Sequence, residues 1–161
     1  MKTALVAIDI QNAFITKDTA DIPQKIADHL KSNKYDYVLF TQFINKSGSN
    51  FEKLLGYKDC KNSPEIDFDS AIVKLTSSKN IFQKTSYSAF KAKGFKEFIN
   101  RNGIEKLFIC GLDTDSCVFA TAYDAFDLGY DVKVLTDLSK SSSGSELDAA
   151  GKKIINLAIQ K

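Results

Sequence analysis

A strand pattern passes directly into a helical pattern in ICGLDTDSCV, residues 109–118. The apolar run before Gly111 is typical of a buried strand, and the apolar positions from Val118 onwards recur at helical spacing. Cys117 lies at this junction. The first turn of a helix has unpaired N–H groups and the positive end of the macrodipole, both of which favour a thiolate over a thiol. The alternative is that Cys117 is a small apolar residue packed in the core.

Short apolar runs alternate with helical patterns along the whole chain. The runs are rich in Val, Ile, Leu or Phe without polar alternation, which is typical of strands buried on both faces of a parallel sheet. This order predicts an α/β fold of three layers, α/β/α, with a mainly parallel, Rossmann-like sheet of five or six strands. The five strands predicted from these runs are residues 4–8, 37–41, 81–83, 106–110 and 132–135.

Four apolar stripes at helical spacing predict four amphipathic helices. The third of them runs from Asp115, as its N-cap, to a stop at Gly129. Residues 45–70 have weak periodicity and are predicted as a long loop of the kind that is often functional. The serine-rich residues 139–145 are predicted as a second loop, before the last helix.

The composition is that of an ordinary globular protein. With 161 residues, 43% hydrophobic and 26% charged, a single domain over residues 1–161 is expected. The net charge of +2 comes from 22 basic and 20 acidic residues without a basic block, so neither nucleic acid nor a membrane surface is expected as a partner. The first apolar run breaks at Asp9, too early for a signal peptide. Because the three cysteines form no C-x-x-C pair, we expect a cytoplasmic protein.

Three reactive side chains follow predicted strands. Asp9 follows the first strand, Lys84 the third, and Cys117 follows the fourth by a short turn. In an open parallel sheet, ligands bind beyond the carboxyl ends of the strands, so the three groups should meet at one edge. Singly, Asp after a strand is usually a turn former and Lys a solvated residue. Together, a carboxylate as base and an ammonium as nearby cation could convert the thiol into a nucleophile.

Three segments resemble the isochorismatase-like cysteine hydrolases, which include nicotinamidases and N-carbamoylsarcosine amidases. They are LVAIDIQNAF at residues 5–14, QKTSYSAF at 83–90 and GLDTDSCV at 111–118. The resemblance implies a catalytic triad of Asp9, Lys84 and Cys117, in which Cys117 attacks a carbonyl to form a thioester that water hydrolyses. It also implies a cis peptide bond between Leu112 and Asp113, with the N–H groups of Asp113 and Cys117 as the oxyanion hole.

Departures from the family pattern narrow the predicted activity. Nicotinamidases hold a metal with an Asp-x-His pair, and the corresponding residues here are Phe43 and Asn45, while the only histidine, His29, lies on the first helix. We therefore expect no metal and no other cofactor. The presence of Cys117 favours cleavage of an amide or ureido C–N bond over the vinyl-ether cleavage of true isochorismatases. The residues predicted to line the substrate pocket are Gln11, Phe14, Asn45, Tyr87 and Phe90.

Two other hypotheses remain open from the sequence. The chain could be a catalytically silent binding or assembly protein: relatives usually continue into a further strand after the last helix, which a partner subunit could complete here. We accordingly expect a homo-oligomer, a dimer or tetramer, that binds a small-molecule substrate. The other hypothesis, a metal pair formed by Asp113 and Asp115, has little support because Asp-x-Asp spacing is common.

Overall fold

The computed structural model describes residues 1–160. Five strands in this range form one sheet: β1 (Lys2–Ile8), β2 (Tyr37–Phe43), β3 (Ile81–Lys84), β4 (Ile104–Leu112) and β5 (Asp131–Lys140). The α-helices are α1 (Ile22–Ser32), α2 (Asn50–Leu55), α3 (Ser70–Val73), α4 (Phe95–Asn102), α5 (Cys117–Asp127) and α6 (Ser145–Ala158), with 3-10 turns at Asn12–Phe14 and Ala89–Lys91.

All neighbouring strands are parallel, in the order β3-β2-β1-β4-β5. The core forms two clusters, one on each face of the sheet. Alternate residues of β1 belong to opposite clusters: Val6 packs with α4, α5 and α6, whereas Leu5 packs with α1 and α3. Strands buried on both faces need apolar residues at every position, which explains why polar alternation is missing. The predicted three-layer α/β fold is therefore confirmed.

The strand order reverses between β1 and β4. The chain builds β2 and β3 on one side of β1, then crosses over to place β4 and β5 on the other. Gly111 makes the close approach at this point possible: its φ is +119°, and a Cβ there would collide with the backbone of Ile8. A crevice at the carboxyl ends of β1 and β4 is the position where sheets of this kind bind ligands.

Two boundaries differ from the sequence predictions. β5 continues five residues beyond the predicted end at Leu135, because a register shift after Ile109 pairs Gly111 with Ser139. α5 begins at Cys117, and Ser116 is its N-cap residue, so the prediction that Asp115 caps the helix is wrong. The carbonyl of Asp113 instead accepts from the N–H groups of Ser116 and Val118, at 3.1 and 3.0 Å.

The predicted long loop at residues 45–70 contains one short helix and leads into another. Ser49 caps α2 by accepting a hydrogen bond from the N–H of Glu52, and Asp69 caps α3 by accepting from the N–H of Ala71. Within residues 1–160, no helix is both long enough and apolar enough to cross a membrane.

Candidate active site

The structure brings Asp9, Lys84 and Cys117 into contact. The ammonium nitrogen of Lys84 lies 2.7 Å from Asp9 Oδ2 and 3.4 Å from Cys117 Sγ, and it also donates to the carbonyl of Ser86 at 2.9 Å. The exposed fractions are 0% for Asp9, 2% for Lys84 and 9% for Cys117. A buried cation and carboxylate in direct contact offset much of each other's desolvation cost.

Each of the three side chains is positioned by a different element. Asp9 follows β1 with a φ of +49°, a region that Asp enters more readily than most residues, and its Oδ1 accepts from Thr41 Oγ1 of β2 at 2.6 Å. Lys84 is the last residue of β3, two strands away from β1, and Cys117 is the first residue of α5. The loop before Cys117 is held to α6, because Thr114 donates to Asp148 at 2.7 Å.

Burial governs the electrostatics of the three groups. It raises the pKa of the Cys117 thiol, and the negative charge of Asp9 raises that pKa further, whereas Lys84 opposes both effects. Burial lowers the pKa of Lys84, but its charge and hydrogen-bond interactions with Asp9 and Cys117 outweigh this effect, so that the pKa of Lys84 is raised overall. The structure therefore favours a neutral Cys117 thiol beside a protonated Lys84 ammonium. This differs from the expectation that the helix start holds Cys117 as a thiolate.

The peptide bond between Leu112 and Asp113 is cis, as the family resemblance implies. Among residues 1–160, no backbone carbonyl accepts from the N–H groups of Asp113 or Cys117. The N–H of Cys117 belongs to the first turn of a helix, where such groups have no partner within the helix. Both groups can therefore donate to a ligand.

A cavity of about 410 Å³ opens beside Cys117. It is lined by five aromatic residues, two acids and three serines, together with three aliphatic residues and Cys117 itself. A second hollow of about 630 Å³ adjoins it and shares Phe51, Leu55 and Tyr87. The residues around the cavity are Ala13, Phe14, Phe43, Phe51, Leu55, Tyr57, Tyr87, Leu112, Asp113, Asp115, Ser116, Cys117, Ser142 and Ser143.

Two of the five predicted pocket residues, Phe14 and Tyr87, line the cavity, and three do not. The Gln11 amide is buried and used internally: it donates to the carbonyls of Phe43 and Ile66 at 2.8 and 3.0 Å and accepts from the N–H of Phe43 at 2.7 Å. Gln11 therefore organises the end of β2 and does not line the cavity.

Asn45 and Phe90 are also placed elsewhere. The Asn45 amide donates to the carbonyls of Tyr57 and Asp59, at 2.9 and 3.0 Å, and so holds the loop after β2. Phe90 packs against Phe95 and Tyr130 in the core, at ring distances of 5.2 and 5.6 Å. Nearness to a strand end in the sequence does not determine the direction of a side chain.

Several cavity residues were not found by sequence reasoning. Phe51 and Tyr57 lie in the stretch predicted as a long loop, and Ser142 follows the true end of β5. Ser142 donates to Asp113 from its N–H at 2.8 Å and from its Oγ at 2.6 Å. Burial raises the pKa of Asp113 to about 6, although the two bonds from Ser142 act in the opposite direction. For Ser142 the signal in the sequence is a polar residue that follows a strand. The apolar pattern of β5 ends at Leu135, whereas the strand itself continues to Lys140, so this pattern does not place Ser142 at the strand end.

Within residues 1–160, no three His, Cys, Asp or Glu side chains are grouped so as to hold a metal ion. Asp113 and Asp115 both line the cavity, but the Asp113 carboxylate already accepts the two bonds from Ser142. One oxygen of Asp115, Oδ1, is buried without a hydrogen-bond partner.

The protein is a small α/β domain of three layers. A buried thiol, ammonium and carboxylate meet at the carboxyl edge of its parallel sheet, an arrangement typical of a site with a candidate nucleophile. The family model described as "Isochorismatase domain" matches residues 3–159, and the chain belongs to this family of hydrolases.

Similar proteins agree with this family. The chain is 34% identical over 62 residues to the Xenopus laevis isochorismatase domain-containing protein 2, a match that covers 38% of this chain and 30% of that protein. It is 25% identical over 171 residues to the nicotinamidase/pyrazinamidase of Mycobacterium tuberculosis, covering 91% of each chain.

Solved structures share the fold. An isochorismatase-like hydrolase from Alkaliphilus metalliredigens superposes with a TM-score of 0.85 at 22% identity, covering 100% of this chain and 93% of the other. The N-carbamoylsarcosine amidase of Thermoplasma acidophilum gives a TM-score of 0.80 at 23% identity, covering 99% and 93%. At these identities the likeness concerns the fold.

Proposed function

We propose that this protein hydrolyses an amide or ureido C–N bond of a small molecule, with Cys117 as the nucleophile. The observation that carries the proposal is the buried contact of Lys84 with both Asp9 and Cys117 beside a cavity. The nicotinamidase and the amidase among the similar proteins are named for amide chemistry, which supports the same reaction class.

In the first half of the proposed reaction, Cys117 Sγ attacks the substrate carbonyl carbon, and the thiol proton passes to Asp9. The carbonyl oxygen becomes an oxyanion, which accepts from the N–H groups of Asp113 and Cys117. When the C–N bond breaks, the leaving nitrogen takes the proton from Asp9 and departs as ammonia or an amine. A thioester to Cys117 remains.

In the second half, water attacks the thioester while Asp9 accepts one of its protons. The tetrahedral intermediate collapses, the C–S bond breaks, and Cys117 recovers the proton from Asp9 as the product leaves, a carboxylic acid from an amide or a carbamic acid from a ureide. Lys84 keeps its proton throughout: it holds Asp9 in place and stabilises the transient thiolate. This assignment suits a thiol that rests neutral, because the proton leaves only during attack.

The experiment is a panel of small primary amides and ureides assayed for released ammonia with wild-type protein and with Cys117→Ala and Asp9→Asn. We expect turnover by the wild type, a loss of roughly 10⁴-fold or more in Cys117→Ala, and a loss of about 10² to 10⁴-fold in Asp9→Asn. Full turnover in Cys117→Ala would overturn the nucleophile. A folded wild-type protein that releases no ammonia from any member would favour the silent binding protein instead.

A further inference from the structure

The lining of the cavity carries acids but no base. Asp113 and Asp115 line it, and none of the described residues around it is Lys, Arg or His. Lys84 is not among the lining residues, and the carboxylate of Asp9 balances its charge at 2.7 Å. Once Asp113 is ionised, the charges that face the cavity are therefore negative.

The Asp113 carboxylate retains capacity for a ligand. Ser142 supplies one donor to each of its oxygens. An ionised carboxylate has about four acceptor sites, so roughly two remain. A charge held in a partly buried position gains most from a further donor or cation, because water solvates it incompletely.

Asp115 supplies the second, independent observation. Its Oδ1 atom is buried and has no hydrogen-bond partner among the residues that the structure describes. Buried acceptors without a partner are rare in folded proteins. Because this oxygen is closed off from solvent, Asp115 acts on a ligand in the cavity through the charge of its carboxylate and not by accepting a hydrogen bond at Oδ1.

Aromatic rings complete the surroundings. Phe14, Phe43, Phe51 and Tyr87 form a continuous series around the cavity, with successive ring centroids 6.3, 4.9 and 4.9 Å apart. The negative face of an aromatic ring attracts cations. Phe43 already has the Lys84 ammonium 5.2 Å from its ring centre, so within the described residues the rings of this series without a cation over them are Phe14, Phe51 and Tyr87.

We propose that the site selects small amides or ureides that carry a positively charged nitrogen group, with Asp113 and Asp115 as specificity-determining residues, and that it disfavours amides that carry a carboxylate. This inference rests on the proposed function, since it concerns the substrate of that reaction. The cation lies between the two carboxylates and the rings, and the amide carbonyl lies next to Cys117.

The first experiment uses the thiol itself as the probe and needs no turnover. Cys117 is allowed to react with a cationic methanethiosulfonate (trimethylammonium-ethyl), an anionic one (sulfonatoethyl) and neutral iodoacetamide, and each rate is read from the Cys117 peptide. The cation-to-anion rate ratio is divided by the same ratio for free 2-mercaptoethanol. The neutral reagent corrects for changes in thiolate fraction.

We expect the normalised cation-to-anion rate ratio to be about 10 in the wild type. It should fall several-fold in Asp113→Asn and in Asp115→Asn. Asp127→Asn is the matched control, because Asp127 is an exposed acid at the far end of α5 and should leave the ratio unchanged. A wild-type ratio at or below 1, an unchanged ratio in both cavity variants, or a Cys117 that reacts with none of the three reagents would overturn the proposal.

The second experiment separates this inference from the proposed function. Ammonia release is compared for β-alaninamide, which ends in an ammonium, and succinamate, which ends in a carboxylate at a similar distance. We expect a higher kcat/KM for β-alaninamide and a smaller preference in Asp113→Asn. A preference for succinamate would overturn the proposed specificity and leave the cysteine mechanism intact. Full turnover in Cys117→Ala would instead overturn the proposed role of Cys117 as the nucleophile.

Discussion

Lys84 Nζ lies 2.7 Å from Asp9 Oδ2, although the two residues are 75 positions apart in the chain. They come from β3 and β1, with β2 between them, and Thr41 of β2 binds the other oxygen of Asp9 at 2.6 Å. Three parallel strands therefore contribute to one buried charge pair. The pair fixes the base of the proposed reaction and places a cation against the thiol.

Removing Lys84 should destabilise the fold strongly. In Lys84→Met the Asp9 carboxylate stays buried without its partner, and breaking a buried pair in this way costs about 3 kcal/mol or more. The free energy of unfolding from urea titrations measures the loss. Lys31→Met is the control: Lys31 also pairs with an aspartate, Asp28, but both side chains are exposed, so little change is expected. Equal losses in the two variants would contradict the structure.

Replacing Asp9 should make Cys117 react faster with alkylating reagents even though turnover falls. The negative charge of Asp9 raises the pKa of Cys117 and Lys84 lowers it, so Asp9→Asn leaves the thiol with the cation alone. The measurement is the iodoacetamide rate of the Cys117 peptide between pH 6 and 10. We expect the profile to shift to lower pH than in the wild type. A shift to higher pH would assign Asp9 a different role.

Asp113 should make stability depend on pH. Its pKa is raised from 3.8 to about 6 in the folded chain, by burial first and also by the charges of Asp115 and Asp9, while Ser142 opposes these effects. Between these two values the folded state binds more protons than the unfolded state, so stability falls as pH rises through this window and stays lower above it.

The test of this linkage compares melting temperatures of wild type and Asp113→Asn from pH 4 to 8. The asparagine keeps an acceptor for the Ser142 N–H and carries no charge. We expect the variant to gain in Tm relative to the wild type as pH rises from 4 to 6, with no further gain above pH 7. Asp127→Asn should show no such trend, and a difference that shrinks with rising pH would contradict the raised pKa.

Gln11 should be structural. In Gln11→Ala the N–H of Phe43 loses its partner, while the Phe43 carbonyl keeps only the weak Cys60 thiol donor and the Ile66 carbonyl keeps the Gln42 amide. An unsatisfied buried group of this kind costs about 1 to 3 kcal/mol. We expect a loss in unfolding free energy of about 2 kcal/mol or more. Gln83→Ala is the control, since the exposed Gln83 amide bonds only to Gln42. A Gln11→Ala protein as stable as wild type would contradict this structural role.

The fold and the convergence of Asp9, Lys84 and Cys117 could be predicted because each depends on a strong local signal. Unbroken apolar runs identify doubly buried strands, and the carboxyl ends of parallel strands necessarily meet at one edge. That rule alone places Asp9 and Cys117 close together. It does not reveal the ionisation of Cys117, because burial depends on how the surrounding loops close over the thiol.

The pocket could not be predicted to the same degree. Gln11 and Asn45 are polar residues near strand ends, yet the Gln11 amide satisfies backbone groups at the end of β2 and the Asn45 amide satisfies those of the loop that follows. Ser142 was missed because the bulge that extends β5 has no signature in the apolar pattern. Side-chain direction in a loop is set by tertiary hydrogen bonds, which sequence periodicity does not encode.

The predicted homo-oligomer stays a prediction. Large apolar side chains are exposed next to the outer hollow, notably Leu54 at 76% and Leu55 at 64%. Analytical ultracentrifugation over a wide concentration range would measure the state. A strict monomer at all concentrations would contradict the completion of the sheet edge by a partner.

The most direct measurement is mass spectrometry of the protein quenched in acid during turnover of an amide that releases ammonia. The cysteine mechanism predicts a population whose mass is increased by the acyl group, with the increase confined to the peptide that contains Cys117 and absent from Cys117→Ala. Steady turnover with no acyl mass at Cys117, and undiminished turnover in Cys117→Ala, would contradict it.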